Sequence, residues 1–326
     1  MFFKSLQFKL MSLVLAVAAV ASVSLTIIAS RTATATVSQT VYQLLGSLSN
    51  DVAGTVEDEL AKQFRLFEGV ALLDFIIDDD ISFEEKCVRM RSLNSVGTEY
   101  ENITYYTTDG DNMTRDGRIV HLTDREYIKV ASQGRNYISD PFFSSVANKV
   151  LQTYSVPVKN TQGMVIGLIG ANTWGDTLSK AISDIDIGVA ADITVLNRKT
   201  GVVVATTNAQ VEIGGEMTKG IAEELRPILA RAMAGETGGS DFFDSTGNAR
   251  RVAAYKPVAG TDWTVLCITP YQYFFSGMTT MVRKMIFALV LIVILAIVVS
   301  YMASRLTVQP LVAVTSAVTD IATGDA

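Results

Sequence analysis

Apolar residues recur along this chain in three patterns, and each predicts a different kind of element. Two runs free of charged side chains, Leu10 to Ser30 and Met285 to Ser304, lie near the ends. Each approaches the ~20 residues that a helix needs to cross ~30 Å of hydrocarbon, so both are predicted membrane spans. Between them, Val37, Val41, Leu44, Leu48, Val52, Val56, Leu60, Phe64 and Phe67 are spaced by three or four, the stripe of one amphipathic helix. This helix is expected to leave the first span and reach about Phe75, near the acidic break Asp78-Asp79-Asp80. Its stripe is expected to face the chain's own sheets, and its membrane-near part, Val37 to Leu48, a second subunit.

From Tyr100 the period changes to that of strands and turns. Asn102 to Thr108 reads as a strand closed by Asp109-Gly110, Asp124 as the cap of a helix, and Asn136 to Ser139 as a short strand. Leu151 to Val158 and Met164 to Thr173 flank the hairpin signal Asn160-Thr161-Gln162-Gly163, and a helix is expected from about Thr177 to Ile187. A second, smaller module repeats the scheme. It has strands at Ile193 to Leu196 and Val202 to Thr206, a helix at Ile221 to Ala234, and strands at Gly239 to Phe243, Ala249 to Val258 and Trp263 to Thr269. The fold class is α+β: two tandem antiparallel-sheet modules behind a long helix, flanked by two transmembrane helices.

The boundaries implied are a cytoplasmic N-terminus over 1–9, spans over 10–30 and 285–304, a stalk helix over 31–80, a membrane-distal module over 81–190, a membrane-proximal module over 191–280, and a stub over 305–326. Lys4 and Lys9 before the first span and Arg305 after the second place both ends in the cytoplasm and the modules outside it. Arg283 and Lys284 oppose this weakly, because long domains are translocated regardless of charge. A cleaved signal peptide ending at Ala33-Thr34-Ala35 competes for the first run, which exceeds the usual ~7–15 residue core of such peptides.

Charge and composition narrow the function. Residues 32 to 282 hold 21 Lys plus Arg against 31 Asp plus Glu, a formal charge of −10, a poor surface for nucleic acid. His121 is the one histidine, so no multi-histidine metal site and no second Ser-His or Cys-His pair can be built. The glycines at 163, 167 and 170 lie on strand-like sequence without a following Lys, unlike a phosphate loop. An enzyme, a cofactor and a metal are therefore not expected. Cys87 and Cys267 either pair or lie buried as two thiols. The second reading is favoured by the domain's size and by the strand pattern around Cys267.

Several motifs in order carry a resemblance. Arg125-x-Tyr127 opening a helix, Asp140-Pro141-Phe142, Thr153-Tyr154-Ser155-Val156-Pro157-Val158 and Gly163-x-x-x-Gly167-x-x-Gly170 mark the first module. Asn197-Arg198-Lys199-Thr200-Gly201-x-Val203-x-Ala205-Thr206 and Tyr255-x-Pro257-Val258-x-Gly260-Thr261-x-Trp263 mark the second. Over residues 34 to 270 the chain resembles a bacterial methyl-accepting chemotaxis protein with a double Cache sensor, whose modules are PAS-like. Pro310-Leu311, Val314, Val318, Ile321 and Gly324-Asp325 resemble the first helix of a HAMP linker, or an ordinary juxtamembrane helix.

The resemblance implies a multi-pass receptor of the inner membrane that binds a small molecule in its distal module. A homodimer is implied, and signalling through the second span and HAMP to cytoplasmic machinery for chemotaxis. Arg125 suits a ligand carboxylate, since its planar fork binds one bidentately. Tyr105, Tyr127, Phe142 and Tyr154 are the expected walls, and Asn172 stands at the strand end where amino-acid-binding relatives carry an Asp. Ile128 replaces a second aromatic, and Ser144 an acid. An α-ammonium then lacks a counter-charge, so a small organic acid is favoured over an amino acid. Against these stand an ion pair of Arg125 with Asp124 or Asp140, and plain core packing of the aromatics. The same sensor on a histidine kinase or cyclic-dinucleotide enzyme, and a structural ectodomain, are the rival functions.

Overall fold

Helix α1 spans Leu6–Ala71, in a computed structural model that describes residues 6–93, 100–145, 147–185, 191–217, 221–245 and 247–303. Along its second half Leu45, Leu48, Val52, Val56, Leu60, Gln63 and Phe67 are buried. The buried stripe passes through Leu45, while Leu44, predicted to lie in it, is exposed. The helix also stops short of Phe75. The Leu72 and Leu73 amides bond back three residues to Gly69 and Val70, Leu73 turns extended, and Asp74–Ile77 forms a separate turn, α2.

The distal module comprises α3 (Phe83–Leu93), β1 (Tyr100–Tyr106), the hairpin β2 (Asp111–Met113) and β3 (Ile119–His121), α4 (Glu126–Ser132), β4 (Tyr137–Ile138), β5 (Phe142–Ser144), β6 (Lys149–Lys159), β7 (Val165–Trp174) and α5 (Thr177–Ser183). Its antiparallel sheet runs β1-β7-β6-β4, with β5 also on β6. Antiparallel partners share a face, so the register sorts the side chains. Tyr154 meets Phe64 and Phe67 of α1, which puts its row partners Ile138, Ala171 and Ile103 on the helix side. Asn102, Thr104, Tyr106, Thr153, Ser155, Leu168, Gly170 and Asn172 point to the other side, which α4 covers with Tyr127, Ile128 and Ala131.

Two glycines explain how adjacent tyrosines serve opposite faces. A Cβ at Gly167 would overlap the Tyr105 ring, and one at Gly170 the Tyr106 ring. Each glycine is a seat for an aromatic laid flat on the sheet. Asp124 does not cap α4: the N-cap is Arg125, with no side-chain bond, because an Arg125 N–H to Leu122 turn holds Asp124 outside the helix.

The proximal module holds β8 (Asp192–Asn197), β9 (Val203–Thr206), a 3₁₀ turn Glu223–Leu225, α6 (Arg226–Met233), β10 (Gly238–Asp244), β11 (Ala249–Pro257) and β12 (Trp263–Pro270). Its sheet order is β10-β11-β12-β8-β9. The α-helix begins at Arg226 with Pro227 in its first turn, later than the predicted Ile221, since proline's fixed φ suits a helix start. Leu196, Tyr255, Leu266, Leu225, Ile228 and Leu229 form its core beneath α6.

The two modules repeat at an offset of one hundred residues. Phe142 pairs with Leu151 as Phe242 pairs with Arg251, and the turns pass through Asn148 (φ 51°) and Asn248 (φ 47°), a conformation that Asn tolerates better than most residues. Strand β12 leads directly into α7 (Tyr271–Ala303). There Asp241 accepts hydrogen bonds from Tyr42 Oη (2.8 Å) and Arg250 Nε (2.9 Å), and the Arg250 guanidinium lies 4.4 Å from the Tyr271 ring centre. Burial and the Asp241 charge push the Tyr42 phenol up to about 12.

Two helical stretches, within Ala19–Ala71 and at Thr280–Val299, are long and apolar enough to cross a membrane. Cys87 and Cys267 are buried free thiols, and burial raises the latter to about 12. His121 lies on β3 against Asp111. Arg305 and the HAMP-like stub fall outside the described residues, and α5 ends at Ser183 with Asp184 as its cap, short of the expected Ile187.

Candidate functional site

The six residues singled out from the sequence do not converge on one pocket. Tyr105 lies on the helix side of the sheet: its hydroxyl donates to Ile166 O at 3.0 Å, its ring stacks against Phe83, and Lys86 Nζ sits 5.5 Å from its centre. Tyr154 is buried there as well, between Phe64 and Phe67, and burial raises its phenol pKa. Both are packing residues because an even number of steps separates each from helix-facing neighbours. Phe142 is half-buried on β5. Arg125, Tyr127 and Asn172 belong to the opposite side, the face under α4.

That face is polar and wired. Thr153 Oγ1 donates to Asn172 Oδ1 (2.6 Å), and Asn172 Nδ2 donates to Asn102 Oδ1 (2.7 Å). Asn112 Nδ2 donates to Thr104 Oγ1 (2.6 Å). Ser155 is fully buried beside this row, and its hydroxyl has no hydrogen-bond partner among the described residues. An unmade hydrogen bond of this kind costs about 1–3 kcal/mol unless a water or ligand supplies the partner. The Tyr106 and Tyr127 rings, 6.3 Å apart and bonded through their hydroxyls, form the cover. Burial raises both phenols. Arg125 is exposed at the rim and makes no ion pair with Asp124 or Asp140. Its charge nevertheless reaches the Tyr127 hydroxyl, where it opposes the effect of burial.

Glu101 is the residue that pattern reasoning missed. A bulge between Tyr100 and Asn102 interrupts the β1–β7 register. Tyr100 thereby packs on Phe67 of α1, while the Glu101 charge acts on Tyr106. Burial raises the Glu101 carboxyl and Arg115 counters it. Glu101 thus brings an acid within electrostatic reach of Tyr106, a group that the sequence reading of an ammonium did not weigh. No sequence signal marks the bulge. Ser155 was legible only as part of the Thr153 to Val158 motif.

The repeat shows why this face differs from its counterpart. Ser155 opposite Gly170 in the distal sheet corresponds to Tyr255 opposite Leu266 in the proximal one, and there the larger pair fills the core under α6. Three clefts lie elsewhere. One of about 850 Å³ lies between Lys149, Trp174, Lys180 and Glu212, one of about 520 Å³ beside Glu216 and Met217, and one of about 510 Å³ between Glu68, Arg135 and Lys159. Among the described residues no group of three His, Cys, Asp or Glu side chains could hold a metal.

Two like sheets with helical covers, hung on one long helix between apolar helices, define a tandem sensor of the Cache type. Residues 29–278 match the dCache_1 Cache domain, and the chain belongs to that family. Solved structures with the same fold include the sensory domain of the Campylobacter jejuni chemoreceptor Tlp3 with isoleucine bound (12% identity, TM-score 0.55, 74% of this chain and 96% of that one). The Tlp3 ligand-binding domain in complex with L-valine matches at 12% identity and a TM-score of 0.52, over the same shares. The extracellular domain rpHK1S-Z16, named for a histidine kinase, matches at 15% identity and a TM-score of 0.55, over 74% of this chain and 97% of its own. No curated protein matches the sequence.

Proposed function

We propose that the chain is the extracytoplasmic sensor and membrane anchor of a chemoreceptor that binds a small organic anion under α4 of the distal module. Binding shifts the population of sensor conformations, and the change leaves through β12 and α7 toward a HAMP linker and a chemotaxis output. The observation that carries this reading is the unpartnered Ser155 hydroxyl, buried beneath the tyrosine cover with an unpaired arginine, Arg125, at the rim. A carboxylate can satisfy both, and the arginine fork supplies the stronger, charge-assisted part. In the proximal module Tyr255 and Leu266 occupy the corresponding place. A second reading, an amino acid, is favoured by Glu101, which offers the ammonium a partner.

The test is a thermal-unfolding screen of the full chain in lipid nanodiscs against acetate, lactate, succinate, L-valine and L-isoleucine. A ligand at 100 times its dissociation constant adds about 2.7 kcal/mol to a native state that alone binds it. Stabilisation by an amine-free carboxylate, lost in Arg125→Ala and weakened about tenfold in Ser155→Ala, is the expected result. Response to the amino acids alone, abolished by Glu101→Gln, would establish the second reading. Silence across the panel would reject direct sensing of either class.

A further inference from the structure

The polar row under α4 does not end at the sheet edge. Thr153, whose hydroxyl bonds Asn172, donates its backbone N–H to Ser139 Oγ (3.0 Å), and the Ser139 N–H returns to Thr153 O (2.9 Å). Ser139 Oγ donates in turn to the carbonyl of Asp140 (2.9 Å), and Gln152 Nε2 holds the Ser139 carbonyl (3.2 Å). Asp140 then leaves the distal module altogether. Its Oδ1 accepts from Asn197 Nδ2 (2.7 Å) and its Oδ2 from Thr200 Oγ1 (2.8 Å), both in the β8–β9 hairpin of the proximal module. A path of hydrogen bonds, linked through the covalent frames of Thr153 and Asp140, therefore runs from Asn102 to Thr200.

We propose that Asp140 is a positioning residue that transmits the state of the distal face to the proximal module, by fixing Asn197 and Thr200 at a place set by Ser139. The proposal rests on the reading of the distal face as the ligand site, and adds the route out of it. Three features suit Asp140 to the task. It precedes Pro141, which confines its backbone to extended conformations, so its carboxylate follows β4 rigidly. Both carboxylate oxygens are used, one on each partner, so a shift or rotation of the side chain is felt by the hairpin. Asn197 is itself a hub: its Oδ1 accepts the Lys199 and Thr200 amides (2.8 and 3.3 Å) and closes the turn. Asn197 also pairs with Trp263 on β12, the strand that continues into α7. A further hydrogen bond between the modules, Thr206 N–H to Ser179 Oγ (3.0 Å), departs from α5, away from the polar row.

Spatial continuity alone does not show coupling, and a mutational cycle does. Hydrogen exchange would be followed at the Lys199 and Thr200 amides of the full chain in nanodiscs, without ligand, for wild type, Asn172→Ser, Asp140→Ala and the double variant. Asn172→Ser is expected to speed exchange at these two amides by roughly three- to thirtyfold, the range such couplings span. In the Asp140→Ala background it is expected to add nothing. Unchanged exchange in Asn172→Ser, or equal acceleration with and without Asp140, would overturn the proposal. Thr200→Val, which removes one of the two links, replaces Asp140→Ala should that variant not fold. Since no ligand is used, loss of this coupling leaves the carboxylate screen standing, and a silent screen leaves the coupling standing.

Discussion

A carboxylate held partly out of water at Glu101 makes stability depend on pH in a direction opposite to ordinary acid denaturation. Burial raises the folded-state value above 4.5. Between those two values the native chain keeps a proton that the unfolded chain has released, so stability falls as pH rises through the window. Above it the cost is fully present. Glu101→Gln, an analogue of the protonated form, is thus expected to unfold at higher temperature than wild type at pH 7, with the difference closing below pH 4.5; a melting series over pH checks this. The same residue marks the limit of sequence reading. Alternation assigns Tyr105 and Tyr106 to opposite faces but does not say which is which, and the bulge at Tyr100 to Asn102 reverses the sense for Glu101. Arg125 and Tyr127 were placed side by side by their shared motif at the start of α4, and Asn172 was read separately from the end of its strand. That Tyr105 and Tyr154 face the helix side was not legible, because an aromatic on a strand looks the same from either side.

At the level of elements, α1 carries more than its buried stripe. Gly46 sits in its exposed surface with nothing within 4 Å of an added Cβ. A glycine inside a helix costs about 0.5–1 kcal/mol relative to alanine. Gly46→Ala is therefore expected to stabilise the isolated chain by that amount in denaturant unfolding. Should the predicted subunit contact use this surface, the same methyl would weaken self-association, which sedimentation reads separately. The helices and strands themselves were largely visible in the sequence, because their periods of 3.6 and 2 survive in Val52 to Phe67 and in Leu151 to Val158. Their ends were less so. Ala71 and the cap at Arg125 are set by turns whose hydrogen bonds involve backbone alone, and composition says little about those, whereas the start at Arg226 is marked by Pro227.

For the whole molecule, one helix serves both modules. Glu57 accepts the Ala259 amide (2.7 Å) in the proximal half, and Gln63 accepts the Tyr100 hydroxyl (2.7 Å) in the distal half. Residues Tyr42–Tyr273 form one compact unit, so neither module should melt alone. The two tryptophans report on this directly, Trp174 at the end of β7 and Trp263 at the start of β12. Urea transitions followed with Trp174→Phe and with Trp263→Phe, each leaving one reporter, are expected to share a midpoint and slope once corrected for the substitutions. Two separated midpoints would show independent modules.

The hundred-residue repeat sets two equivalent places on the chain and fills them differently: one copy has Ser155 and Gly170 under its helix, and the other has Tyr255 and Leu266 there and continues into α7. On the proposed function, substitutions around Asn102 and Asn172 alter both what the distal face binds and what Asp140 carries to the copy joined to α7.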